Sequence, residues 1–110
     1  DRYPRSRVAT LAPLVGQCAA SGDAVAASIL DECTDSLATI ARATCAKLGV
    51  SRVSYVGGVF RNARMLTRFR MLVNAQAPLY GPAVGALLEA YRIAGLRLVP
   101  VDVPDELRHK

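Results

Sequence analysis

The longest regular pattern in the chain runs from Ala24 to Leu48. Ala26, Ile29, Leu30, Cys33, Leu37, Ile40, Ala41, Thr44 and Leu48 recur at steps of three and four, while Asp31, Asp35 and Arg42 fall largely opposite. That spacing marks one face of an α-helix. Asp23 stands before it as an N-cap and Gly49 after it as a stop. A shorter helix is predicted from Ala12 to Ala20, with Pro13 in its first turn, where a missing N–H is tolerated. Residues 5–11 read as a preceding helical turn. A further helix starts near Asn62 or Ala63, with Met65, Leu66, Phe69, Leu72 and Val73 as its buried stripe and Arg64 and Arg68 on an exposed face. Pro82 opens a last helix, closed by Gly95. Val84, Leu87, Leu88 and Tyr91 form its apolar stripe, and Gly85, Ala86 and Ala90 leave a smooth face for close packing.

Between the helices the period changes. Residues 53–56 (Val-Ser-Tyr-Val) are β-prone and read as a strand ended by Gly57-Gly58. Residues 74–77 read either as a short strand or as a frayed helix end, and residues 78–82 as a turn. Residues 96–103 are expected to be extended, with a frayed tail beyond. No linker, low-complexity segment or internal repeat interrupts the pattern. The expected class is therefore α/β, helix-rich, with a short strand before the glycine pair, and the 110 residues suit a single domain or lobe.

Composition narrows the function classes. The apolar fraction of 52% supports a packed core and argues against disorder. The net charge of +5 is mostly arginine, locally clustered only at Arg61, Arg64, Arg68 and Arg70. Six aromatic residues (four Tyr, two Phe) do not interleave with these arginines, so a solvated helix face is preferred to a nucleic-acid surface. Cys18, Cys33 and Cys45 have no metal-pair spacing and sit in apolar helical patterns, which suggests reduced cysteines used as small hydrophobes. The single histidine, His109, leaves no basis for a histidine metal site or triad. No apolar run reaches the length of a membrane span or resembles a signal peptide, so a cytoplasmic protein is expected. The chain begins Asp1-Arg2-Tyr3-Pro4, without an initiator methionine, which points to a fragment, a processed product or a trimmed chain.

The stretch from Val53 to Asn62 (Val-Ser-Tyr-Val-Gly-Gly-Val-Phe-Arg-Asn) carries the candidate chemistry. It reads strand, glycine pair, helix. Ligands of α/β layers bind where strands end and helices begin. Two glycines let a flat ring or ribose approach the backbone, and the next helix start offers free N–H groups. A glycine pair after a strand is also the ordinary way to make a sharp turn.

Three segments occur in order: Ala12-Pro-Leu-Val followed by Ser21-Gly-Asp-Ala-Val-Ala and Ile29-Leu30, then Val53-Ser-Tyr-Val-Gly-Gly-Val-Phe, then Pro78-Leu-Tyr-Gly-Pro-Ala-Val-Gly-Ala-Leu-Leu. Together, to about Ala94, they resemble the C-terminal half of the BadF/BadG/BcrA/BcrD ATPase family, which includes N-acetylglucosamine and glucosamine kinases. The resemblance implies one C-terminal lobe, residues 1–110, of a ribonuclease-H-like (actin-like ATPase) domain. It also implies ATP with Mg²⁺, the metal held mainly by a phosphate-binding N-terminal half that these residues do not contain. Gly57 and Gly58 match the family's adenosine motif, and Val59 and Phe60 follow it. Phe60 would either line the base pocket or belong to the core. Asn62 reads as an N-cap, Gly22-Asp23 as a helix boundary, and Gly85-Ala86 as small residues packing under the nucleotide site. No residue here matches the family's catalytic aspartate, so this chain alone is expected to be inactive. The implied activity is phosphorylation of an amino sugar such as N-acetylglucosamine. Alternatives are the ATPase activator of a radical dehydratase or reductase, and a non-catalytic interaction module. Partners implied are ATP, a small sugar and either a second copy or an N-terminal lobe, with no nucleic acid and no membrane.

Overall fold

A computed structural model describes residues 4–108. Five helices follow one another: α1 (Arg5–Ala9), α2 (Ala12–Ala20), α3 (Ala24–Leu48), α4 (Ala63–Val73) and α5 (Pro82–Ile93). Short 3₁₀ turns occupy Gly58–Arg61 and Asp105–Leu107. Helices α2 and α3 keep their predicted bounds, α4 and α5 start where predicted, and α5 ends at Ile93, two residues before Gly95. The α2–α3 junction shows why. The Asp23 N–H donates back to the Cys18 carbonyl at 3.0 Å, closing α2. The Asp23 carboxylate then accepts the Ala26 N–H at 2.8 Å, opening α3. Gly49, at φ 66°, ends α3 in the left-handed region that glycine enters without penalty.

The long helix α3 is the spine, with α2 and α4 packed against it. Its buried positions are Ala26, Leu30, Thr34 and Ala38, a run at steps of four. Three of these are small, which lets Met65 and Phe69 of α4 come close. Thr34 is fully buried, and its hydroxyl donates to the Leu30 carbonyl at 2.7 Å, so its burial strands no polar atom. The stripe expected from bulk hydrophobicity is shifted by this ridge: Ile29, Cys33, Ile40 and Leu48 are exposed. Cys18 is exposed as well, and Cys45 only half-buried, so two of the three cysteines do not act as core hydrophobes.

Residues 53–56 do not form the expected strand. A single parallel bridge joins Ser54 to Gln76, with the Gln76 N–H donating to the Val53 carbonyl at 3.0 Å. The next donor in a parallel register would come from residue 78, and Pro78 has no N–H. One bridge is therefore as far as the pairing goes. The α/β expectation is met in its helical part, whereas among the described residues no strand is assigned. Residues 74–77 are neither a strand nor a frayed end. Asn74 caps α4 at φ 51°, Ala75 is buried, and Gln76 makes the bridge. Ala38, Phe69 and Ala75 form the centre of the core.

Candidate functional site

The glycine turn is built from both sides. Gly57 sits at φ 108° and ψ 169°, a conformation open to glycine and strained for other residues. The Phe60 N–H then donates to the Gly57 carbonyl at 3.3 Å, and the Asn62 N–H to the Val59 carbonyl at 3.3 Å. Asn62 ends the turn as the N-cap of α4, its side-chain oxygen accepting the Met65 N–H at 3.1 Å. The turn, residues 57–62, thus joins residues 53–56 to α4 within six residues.

Its side chains divide in direction. The Phe60 ring lies between Tyr55 and Phe69, with centroids 5.4 and 5.0 Å away and interplanar angles of 47° and 51°. These tilted contacts are of the stabilising kind, and they tie Phe60 to the core. Gly57, Gly58 and Val59 are exposed. A Cβ built on Gly58 meets no atom within 4 Å, and its φ is not in the left-handed region. Neither crowding nor backbone strain within the chain explains a glycine at residue 58.

Next to the turn in sequence lies a groove of about 250 Å³. Ser54, Tyr55 and Val56 form one wall, and Pro78, Tyr80, Gly81, Pro82 and Gly85 the other. The second wall is the start of α5. Pro82 occupies its first turn, and no side chain caps Gly81. The N-terminal end of the α5 dipole therefore borders the groove. Gly85 lies within α5, where glycine is about 1 kcal/mol worse than alanine. A Cβ there would meet nothing within 4 Å. Here too the small residue has no reason within the chain.

Sequence reasoning singled out Gly57, Gly58, Val59 and Phe60. The structure brings the first three to the surface and Phe60 into the core, and none of the four lines the groove. Tyr55, Val56, Tyr80 and Gly81 do line it, and their sequence pattern marks only a strand and a turn. The available signal was Gly85, a glycine inside an otherwise helical pattern.

A second concavity, of about 440 Å³, lies on the α3–α4 surface and is lined by Asp31, Arg64, Thr67, Arg68 and Met71, among others. It is an ion-pair surface. Arg64 donates to both Asp31 oxygens at 2.8 Å, and Arg68 to the two Asp35 oxygens at 2.7 and 2.9 Å. The Arg64 hydrogen bond is the main reason that the Asp31 carboxyl titrates below its ordinary value, and Arg68 does the same for Asp35. These two arginines of the cluster are thus neutralised on the protein itself, and they do not form a free basic face. Among the described residues no three His, Cys, Asp or Glu side chains come together as a metal site, and no helix is long and apolar enough to cross a membrane.

Comparison with known proteins adds one finding. The model of the BadF/BadG/BcrA/BcrD ATPase family matches residues 1–90, which include the glycine turn, the groove and most of α5. No curated protein and no solved structure gives a match.

Proposed function

The chain belongs to the BadF/BadG/BcrA/BcrD ATPase family, and on that premise we propose that its Gly57–Phe60 turn and the adjoining groove take the adenosine end of ATP. The observation that carries this reading is the pair of glycines without an internal reason. Gly58 and Gly85 both face open space, at the turn and in the groove wall. A bound base and ribose would supply the missing reason, since each would lie against backbone that a methyl group would cover. Gly57 provides the bend, and the exposed backbone of Gly58 and Val59 provides the contact surface. Phe60 contributes from beneath, by holding the turn to Tyr55 and Phe69.

In this proposal residues 1–110 act as the C-terminal lobe of a ribonuclease-H-like ATPase domain. Phosphoryl transfer depends on positioning and on neutralising charge around Mg²⁺. No residue of this chain is assigned to the metal or to proton abstraction, so both tasks fall to a facing lobe. We assign the whole protein to amino-sugar phosphorylation, with N-acetylglucosamine as the representative acceptor, because the Gly-Gly-Val-Phe turn resembles that branch of the family. The test is ADP release by the full-length protein with Mg²⁺-ATP, with and without N-acetylglucosamine. Sugar-dependent release is expected. Equal release without any sugar would overturn the kinase assignment and leave the ATPase reading standing.

A further inference from the structure

The segment after α5 returns to the groove. Gly81, the residue that opens α5, donates its N–H to the Leu107 carbonyl at 2.8 Å. The neighbouring residue Tyr80 forms an antiparallel bridge with Arg108. The segment holds its own shape: the Leu107 N–H donates to the Pro104 carbonyl at 3.0 Å, and the Arg108 N–H to the Asp105 carbonyl at 3.2 Å. The Arg108 guanidinium reaches the Val103 carbonyl and the Asp105 carboxylate, each at 3.3 Å. Contact with the helix start is close, since a Cβ on Gly81 would stand 3.3 Å from the Leu107 oxygen. Tyr80 and Gly81 are at the same time two residues of the groove wall.

We propose that residues 104–108 are a strap that positions the Tyr80–Gly81 wall of the groove for the nucleotide, acting through the Leu107 carbonyl. The inference rests on the nucleotide reading of the groove. It concerns residues outside the 1–90 stretch matched to the family. The bridge to residues 53–56 is at Gln76, short of the Pro78–Pro82 turn. The strap supplies the second anchor on the far side of the turn. Leu107 and its neighbours touch no nucleotide in this arrangement and act only by fixing the wall.

The test uses the full-length protein and two variants. Pro104→Gly/Leu107→Gly loosens the strap without changing any groove residue. Gly81→Ala pushes a methyl group toward the Leu107 carbonyl. ATP and free adenosine are titrated into each by calorimetry, with helical circular dichroism as the check on folding. The expected result is that both variants keep wild-type helicity and bind both ligands about 3- to 10-fold more weakly, the range of one hydrogen bond's net contribution. Equal loss for adenosine and ATP is part of the expectation, because the wall lies at the adenosine end. Unchanged or tighter binding by the strap variant, with wild-type binding normal, overturns the strap alone. Loss of helicity in the strap variant also overturns it, since the segment would then serve folding rather than the groove. Failure of the wild-type protein to bind either ligand overturns the nucleotide reading, and the strap with it.

Discussion

Single residues around the groove separate a binding role from a folding role. Gly85 is the sharpest case. Inside a helix, and with open space where a Cβ would go, glycine weakens the fold relative to alanine. Gly85→Ala should therefore stabilise the protein by about 0.5–1 kcal/mol in denaturant unfolding. The same variant should bind ATP more weakly, because its methyl group enters the groove. A variant that gains stability and keeps full affinity would show that Gly85 has no ligand to accommodate. Gly58→Arg should lose nucleotide affinity without loss of folding, because residue 58 is exposed and nothing in the chain stands within 4 Å of the new Cβ. Unchanged affinity in that variant would remove the turn from the site. Caps work in the opposite sense. Asp23→Ala should destabilise by about 1 kcal/mol, measured as a lowered denaturation midpoint, and leave nucleotide binding unaltered. At this scale the sequence was legible wherever a residue serves its own neighbourhood: Asp23, Gly49 and Asn62 cap the helices they were expected to cap. It was silent where the role depends on a distant segment. The carbonyl that Gly81 meets belongs to Leu107, and spacing carries no trace of that.

Between elements, the α3–α4 pairing combines a core ridge with two surface clamps. Met65 and Phe69 lie on α4 at a step of four, as do the small buried residues of α3. Asp31 and Asp35 repeat the step on one helix, and Arg64 and Arg68 on the other. Both bidentate pairs form because the two helices run in matching register. The folded carboxyls titrate below the ordinary aspartate value of about 3.9, so the pairs favour the folded state above that value. Their contribution is lost as the pH falls through the lowered folded values. Thermal melts should therefore show wild-type stability falling faster than that of Asp31→Asn/Asp35→Asn between about pH 5 and pH 3. Parallel decline of the two would show that the clamps do not help to hold α3 and α4. Helix period predicted these elements well because each stripe is local. It misplaced the α3 core because hydrophobicity ranks Ile29 and Ile40 above Thr34 and Ala38, whereas close packing against α4 selects the small residues. The strand at residues 53–56 failed for a different reason. Its pairing stops at Pro78, and β-propensity cannot register a partner that lacks its donor.

The whole molecule exposes more than a self-contained domain of its size. Its accessible surface is 8779 Å², against about 5,900 Å² expected for a folded monomer of this mass. Its radius of gyration is 17.0 Å, against about 13 Å. Large apolar side chains remain uncovered on several faces, among them Leu14 of α2, Ile40 of α3, Ile93 of α5 and Val99 beyond it. In the proposed two-lobe arrangement a facing lobe covers part of this surface. The 110-residue chain on its own should therefore self-associate in light scattering and should not turn over ATP. A strictly monomeric profile at high concentration would argue against a missing cover. That an open arrangement still keeps a turn and a groove side by side fits the proposed division of labour, in which this lobe holds adenosine and a facing lobe handles the phosphates. The central claim is the first half of that division. Calorimetric titration of the full-length protein and its Gly85→Ala variant with free adenosine, which has no phosphates to recruit the facing lobe, tests it most directly. The account predicts saturable adenosine binding by the wild type and weaker binding by the more stable variant. Equal adenosine affinity in the two, or none in the wild type, would contradict it.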